Sequence, residues 1–435
     1  MKIHIIGAGP TGMTVAWELL STTPCDVTIY DRKLSAGGSW WEPSSEYRDL
    51  HAHRIAFDRA FINTRNLFEE MNIQWNDVFE PVEYNYGYIF KHMSFSDYLA
   101  LGSLALKVLA LPWKYEKVTL KDALGDSMTT SGKKVIQRLT FQMDGVPWNV
   151  MSAYEFVKSF DHMGLSTMYT QRVSGRAMCY AMQKALIKKG AKFVFNKELE
   201  DVDYLQNEYF AKFKDGTEIS DGLLVMCIDN TPAIKLVKEN WGPNAKKQIR
   251  DSTYGCINVL LDYPHPVRLE NDLKIAMETP WNLQPVVLSD QKTISCVICD
   301  LTEEILKTEP EILIREVIRQ LRVPKPKHAR IGWGSTWTGK KWTFSQSSGV
   351  LSVHGQVPFF GHSSKVALCG MMSPRSTPYS SIEAAVEVGR QFCHETFGTR
   401  RPMWPLTITR LIVILILIIY VTQRLRTHTN VRIQR

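Results

Sequence analysis

Residues 2–31 read KIHIIGAGPTGMTVAWELLSTTPCDVTIYD, and this stretch decides the fold. Lys2–Ile6 has the apolar run of a strand buried on both faces. It enters Gly7-Ala8-Gly9-Pro10-Thr11-Gly12, and Thr11–Ser21 then has a helical pattern. Val27–Tyr30 reads as a second strand, closed by Asp31. In this arrangement Gly7 permits a tight turn, Gly9 lets a diphosphate approach the backbone, and Gly12 lets helix and strand pack closely. Pro10 and Thr11 open the helix, whose first N–H groups have no partner within it and face an anion. Asp31 lies nineteen residues after Gly12, close to the spacing of about 20 for an acid that binds a ribose. A glycine turn without a ligand would lack this full context.

Further along, Gly37-Gly38 offers a second glycine turn six residues after Asp31. A distant strand–glycine–helix unit, Val366–Gly370 followed by Ser381–Phe392, gives a second helix start. Such a start can present N–H dipoles to a flavin carbonyl. These features favour FAD over NAD. A nicotinamide-dependent dehydrogenase using only the first fingerprint leaves the Gly370–Val386 unit without a role.

Together these motifs make the chain resemble the flavin-dependent amine oxidase superfamily, which includes monoamine oxidases, protoporphyrinogen oxidases and carotenoid desaturases. The resemblance is strongest over 1–75, 170–235 and 364–393. It implies an α/β chain: a Rossmann-like FAD-binding domain with an inserted α+β substrate domain and a C-terminal membrane anchor helix. The FAD-binding part would comprise 1–75, 170–255 and 335–398, and the substrate domain 76–169 and 256–334. By resemblance, Gly7, Gly9, Pro10, Thr11, Gly12, Asp31 and Arg32 would hold the ADP half, with Gly37, Gly38 and Ser39 at the second turn. Leu199, within Asn196–Val202, would lay its backbone beside adenine. Gly370, Met371, Ser381, Ile382 and Ala385 would form the flavin end. The segment Asp49–Arg54 falls where these proteins place a loop beside the flavin ring, so His51, His53 and Arg54 are candidates for the reacting face. His53 and Arg54 are the catalytic candidates, since a histidine can move protons near neutral pH.

Several positions depart from the pattern. Ser39 stands where arginine is usual, and Met371 where an acid is usual. Gly255 aligns with a lysine near flavin N5, and Ser381 with one tyrosine of an aromatic cage. Cysteine is absent between Cys299 and Cys369, so the flavin should be non-covalent. Tyr379, Trp333, Trp337 and Trp342 could rebuild an aromatic pocket or simply pack. The expected activity is a FAD-dependent oxidoreductase acting on a small or amphiphilic molecule by hydride transfer. The rival is a catalytically degenerate flavin-fold scaffold or binding protein.

The rest of the chain bounds these readings. Its 435 residues are 44% hydrophobic and 22% charged, which excludes wholesale disorder and a polytopic membrane protein. Net charge is +8, and the seven arginines from Arg400 to Arg435 account for +7 of it. A nearly neutral body argues against nucleic acid as a partner. The eight scattered cysteines suit a reducing compartment. Cys296 and Cys299 have metal-like spacing, but on a strand residues three apart face opposite sides, and no metal is expected.

Leu411–Val421 (LIVILILIIYV) is apolar throughout and spans about 17 Å, against about 30 Å for a hydrocarbon core. Extended over 403–422 with Arg410 snorkelling and a basic tail at 423–435, it reads as a single-pass tail anchor. Membrane lipid would then be a partner, and the mitochondrial outer membrane or endoplasmic reticulum the location. Phe95–Leu111 reads either as a core helix or as a second membrane-contacting surface.

Overall fold

Five short apolar runs assemble one parallel sheet: β1 (Lys2–Ile6), β2 (Asp26–Tyr30), β3 (Lys192–Val194), β4 (Leu223–Met226) and β5 (Val366–Leu368). Their order across the sheet is β5-β4-β1-β2-β3. The structure, a computed structural model, describes residues 1–40, 55–82, 90–205, 208–237, 240–269, 279–288, 290–332, 334–345, 347, 349–350 and 353–433. His51, His53, Arg54 and Trp333 lie outside the described residues.

Both faces of the sheet are covered at its centre, which is why β1, β4 and β5 are buried along nearly their whole length. Ile3, Ile5, Val27, Ile29, Val225 and Ala367 join one core, under helices α1 (Pro10–Thr22), α6 (Gly175–Lys188) and α7 (Ile382–Phe397). Ile6, Leu224, Met226, Val366 and Leu368 join a second core, under an antiparallel ribbon of Leu199–Leu205, Glu208–Phe213 and Glu218–Ile219. Alternate residues therefore serve opposite layers. Helices α1 and α7 approach closely at Gly389, where a Cβ would lie 2.9 Å from the Thr14 Cβ. The strands and helices read from the sequence are present, and their ends shift by one or a few residues.

A polar spine joins these helices at depth. Glu383 of α7 accepts the Asn63 and Thr64 backbone N–H groups and both their side chains at 2.7–2.9 Å, at the start of α2 (Ile62–Glu70). Arg390 is wholly buried and donates to Glu18, Asn63 and Asn66. Arg400 binds Glu18 and Glu70. The first arginine of the basic C-terminal stretch thus belongs to the body of the fold.

A helical unit lies between α2 and α6 in the chain. α3 (Phe95–Ala110), α4 (Thr130–Asp144) and α5 (Ala153–Met163) share a core of Leu104, Val108, Val135, Leu139 and Phe156. Asp97 opens α3 with a capping box and also accepts the Thr129 N–H at 2.8 Å. Burial alone would raise its pKa, but the hydrogen bonds from Thr129 and Ser94 win and bring it down to about 2. Only one face of α3 is core: Phe95, Leu99 and Leu106 are exposed. Residues Gln284–Val287, Thr293–Ile298, Ile257–Asp262 and His328–Ile331 form an antiparallel sheet backed by the helix Pro310–Leu321. Cys296 joins that sheet's main core, while Cys299 packs with Phe141, as strand alternation requires. Among the described residues no cluster of potential metal ligands occurs.

The final helix, α8 (Ile408–Ile433), corrects the anchor expectation. Among the described residues no helix is long and apolar enough to cross a membrane. The apolar run is only Leu411–Val421. The residues meant to lengthen it are engaged by the body instead. Met403 N–H donates to Asn63, and Thr409 N–H to Asp161, both at 2.7 Å. Arg410 donates to the Pro405 carbonyl at 2.7 Å and lies 5.0 Å from the Trp404 ring centre, so it does not snorkel. The single-pass tail anchor over 403–422 therefore fails. The lipid partner and the two membrane locations that rested on it lose their basis.

Candidate functional site

All five parallel strands point their carboxyl ends to one edge of the sheet, the side on which open α/β sheets bind ligands in a crevice. β1 leads into Gly7, whose N–H donates to the Tyr30 carbonyl at 2.7 Å. Its φ of +108° suits glycine, and a Cβ there would lie 2.1 Å from the Cys227 carbonyl oxygen. At Gly12 a Cβ would meet the Gly7 oxygen, also at 2.1 Å. These two glycines are needed by the fold itself.

Gly9 and Gly38 differ. They face each other across the crevice floor: a Cβ on Gly9 would lie 3.3 Å from the Gly38 Cα, and one on Gly38 would lie 2.8 Å from the Gly9 Cα. The Gly37 N–H donates to the Ala8 carbonyl at 2.9 Å, which ties the second turn to the first. The result is a glycine-lined cradle at the first turn of α1, where Gly9 is the N-cap and Pro10 follows, with the Lys33 ammonium donating to the Gly38 carbonyl at 2.5 Å. Thr11 and Gly12 complete that turn. Ser39 is exposed beside it, in the short helix Gly38–Trp40.

Asp31 is buried at the end of β2. One carboxylate oxygen accepts the Ala8 N–H at 2.7 Å and the other the Lys33 N–H at 2.8 Å. It therefore fixes the glycine turn, and each oxygen keeps a further lone pair for a hydroxyl. Next to it, the Lys197 N–H donates to the Asp31 carbonyl and the Asn196 N–H to the Lys33 carbonyl. These bonds carry the chain across β2 and β3 to Leu199. The Leu199 side chain is buried in the ribbon core, so only its backbone can serve a ligand. Arg32 is exposed and donates to the Ser345 carbonyl at 3.3 Å.

The other end of the crevice is built by β5 and α7. Gly370 N–H donates to Ser373 Oγ at 3.0 Å, and a Cβ on Gly370 would lie 3.3 Å from the Ile228 carbonyl. Met371 is half-buried. Ser381 caps α7, accepting the Ala384 N–H at 3.1 Å, while Ile382 and Ala385 are buried behind it. The loop between is clamped. Glu387 accepts the backbone and hydroxyl groups of Ser376 and Thr377, and Arg375 donates to the Met371, Thr377 and Tyr379 carbonyls.

A family model for the NAD(P)-binding Rossmann-like domain matches residues 5–63. No curated protein matches the chain. Solved structures do. An oxidoreductase from Methanosarcina mazei superposes with a TM-score of 0.65 at 11% identity, covering 91% of this chain and 100% of its own. A protein assigned as a protoporphyrinogen oxidase from an Exiguobacterium species gives 0.59 at 12% identity, covering 91% and 98%. A putrescine oxidase bound to putrescine gives 0.61 at 12%, covering 92% and 99%. The chain shares the overall fold of these oxidoreductases.

Within that fold, the departures seen in the sequence have physical counterparts. A Cβ at Gly255 would lie 2.6 Å from the Phe344 ring, so Phe344 occupies the space a lysine there would need. Trp342 is buried and donates to the Thr308 carbonyl at 2.8 Å, and it packs on Trp337 with ring centres 5.5 Å apart. Both serve the antiparallel-sheet core rather than a pocket wall. Tyr379 is also buried, against Phe61, with its hydroxyl 2.8 Å from His162 Nδ1. Burial holds His162 down to about 4, so its ring is neutral at pH 7. Replacing Tyr379 by Phe strands that ring nitrogen, and a loss of about 1–3 kcal/mol in unfolding free energy is expected by urea titration.

Sequence reasoning missed Asp144, His162, Glu387 and Lys33. Each acts through a partner distant in the chain or on a neighbouring loop. Only the Asp144-Gly145 pair, a common helix stop, marked its position.

Proposed function

We propose that the chain is a FAD-dependent oxidoreductase, amine oxidase-like in organisation, that holds the flavin non-covalently and oxidises a small or amphiphilic molecule by hydride transfer. The supporting observation is the convergence of the Gly9–Gly38 cradle, Asp31, the Asn196–Leu199 crossing and the start of α7 on one crevice. Glycine at both turns leaves backbone open to a diphosphate and the Lys33 ammonium sits beside it, so the residues present fit the cofactor. Bound FAD would supply the two-electron acceptor.

The chain's own residues would do the rest. Gly9, Gly38 and the first turn of α1 would hold the diphosphate, and Asp31 the ribose. Gly370, Met371, Ser381, Ile382 and Ala385 would frame the flavin end. Residues 76–169 and 256–334 would shape the substrate space. His53 and Arg54 are the proposed groups beside the ring. Flavin reduction by substrate should change in His53→Ala or Arg54→Ala, and unchanged reduction in both would remove that assignment.

The test of the reading is the visible spectrum of the purified protein before and after acid precipitation. A two-banded yellow spectrum that moves wholly to the supernatant is expected. A colourless protein that takes up no added FAD would overturn the reading.

One observation favours a second reading, a flavin-binding protein without turnover. The space at Gly255 is filled by Phe344, and Ser381 replaces an aromatic side chain. Flavin that dithionite reduces, but that no amine, porphyrinogen or polyprenyl compound reduces, would select it.

A further inference from the structure

The flavin end of the crevice is held from two sides. From α7 itself come Glu387 and Ser381, and Arg375 braces the loop from within. From the separate α3–α5 unit come two buried contacts. Asp144, the last residue of α4, accepts the Ser380 N–H at 2.7 Å. His162 of α5 shares a hydrogen bond with the Tyr379 hydroxyl at 2.8 Å. These adjacent residues lead directly into the first turn of α7.

Asp144 is unusual within this set. It is 3% exposed, yet its Oδ2 has no hydrogen-bond partner among the described residues. Its backbone is also locked. Gly145 closes α4 with φ +66°, and a Cβ on Gly349 would lie 1.7 Å from the Asp144 carbonyl oxygen. A carboxyl at a helix C-terminus faces the negative end of the helix dipole, which disfavours its charge. Evolutionary tolerance need not be invoked: an asparagine or serine could accept the same N–H without this cost.

We propose that Asp144 is a positioning residue for the flavin end, its buried carboxyl holding the Ser380 amide and so setting the turn that starts α7, with the proton on that carboxyl controlling the charge presented there. The proposal rests on the FAD reading above and deepens it.

The surroundings support a proton there near neutral pH. Burial pushes Asp144 up to about 7, the Ser380 N–H opposes this, Glu155 of α5 adds to it, and Arg375 and the Ser380 side chain oppose it. Tyr379 also faces the group, and burial keeps its phenol neutral. The folded-state pKa lies above the ordinary value of 3.8. The folded protein therefore binds this proton more tightly than the unfolded chain. Its stabilising contribution is complete below about pH 4 and is lost as pH rises through about 7.

The test compares wild type with Asp144→Asn and Asp144→Ala between pH 5.5 and 8.5, using added FAD and the apoprotein. In wild type, the spectrum of bound oxidised FAD should shift with an inflexion near pH 7, and thermal stability of the apoprotein should fall from pH 5.5 to about 7 and level off above it. Asp144→Asn keeps an acceptor for Ser380 but has no proton to lose, so the pH response of the FAD spectrum should vanish and that of apoprotein stability should shrink to the part contributed by Glu383, which burial also pushes up to about 7, while FAD affinity stays within about threefold of the wild-type value at pH 6. Asp144→Ala should weaken FAD binding about tenfold at every pH and speed hydrogen exchange at the Ser380 amide (one lost buried hydrogen bond). An FAD spectrum whose pH response is the same in wild type and Asp144→Asn would overturn the proposal, leaving Asp144 a packing residue. Failure of wild type to bind FAD would sink the functional reading instead. The apoprotein stability profile and the Ser380 exchange rate would still report separately on Asp144.

Discussion

Gly9→Ala is expected to abolish tight FAD binding while leaving the fold intact. Gly9 has φ −83° and ψ 177°, a conformation any residue adopts. Alanine there strains no backbone angle, and the Gly38 Cα at 3.3 Å needs to give by only a few tenths of an ångström. The helix should lose well under about 1 kcal/mol from the poorer N-cap. What the methyl group does is stand on the floor of the cradle, where a diphosphate must touch bare backbone. Losing those contacts should cost about 2–3 kcal/mol of binding, or roughly 100-fold in Kd. FAD titration by fluorescence, beside a melting curve, checks both halves. Gly7→Ala and Gly12→Ala provide the contrast. Their methyl groups would fall 2.1 Å from carbonyl oxygens, so both should unfold easily with or without ligand. If Gly9→Ala holds FAD as tightly as wild type, the cradle is not the diphosphate site.

How much of this was legible follows from where the constraints are local. The strand–glycine–helix unit over 2–22 is local: its apolar run, its turn residues and its helix start are contiguous, and the structure reproduces them. A second glycine turn is readable from the spacing after Asp31, but its backbone contact with Gly9, so close that a Cβ on Gly38 would lie 2.8 Å from the Gly9 Cα, depends on the fold. Asp31 was read as a ligand for ribose. Its hold on the Ala8 N–H adds a structural task that no spacing reveals. The tail misled because hydropathy was counted without partners. Arg400 is drawn into the body by Glu18 and Glu70, and Arg410 by Pro405. Asp144 and Ser380 are 236 positions apart, so their contact was beyond any pattern in the chain.

Arg390→Met should be strongly destabilising, by about 3–5 kcal/mol, the usual result of removing one member of a buried ion pair. Arg390 is fully buried, with Nε 2.9 Å from Glu18 and Nη2 2.8 Å from Asn66. Methionine fills much of its volume but leaves Glu18, 1% exposed, with only Arg400 as a charged partner. Arg400 is itself 42% exposed, so solvent screens its contribution and Arg400→Ala should cost less, of order 1 kcal/mol. The double variant Glu18→Gln with Arg390→Met should recover part of the loss, because the stranded charge is then gone. Urea titrations of the four proteins measure each of these differences. A loss under about 1 kcal/mol in Arg390→Met would show that Arg400 and the asparagines suffice to hold Glu18. The consequence should reach the crevice as well. Glu18 lies near the end of α1, and Arg390 in the middle of α7, one residue beyond the Gly389–Thr14 crossing. Both helices begin at the proposed site, α1 at the glycine cradle and α7 at the end proposed for the flavin. Their mutual angle is fixed by that close crossing and by the ion pair behind it. A folded Arg390→Met protein should therefore bind FAD more weakly than wild type, although no atom of Arg390 approaches the crevice.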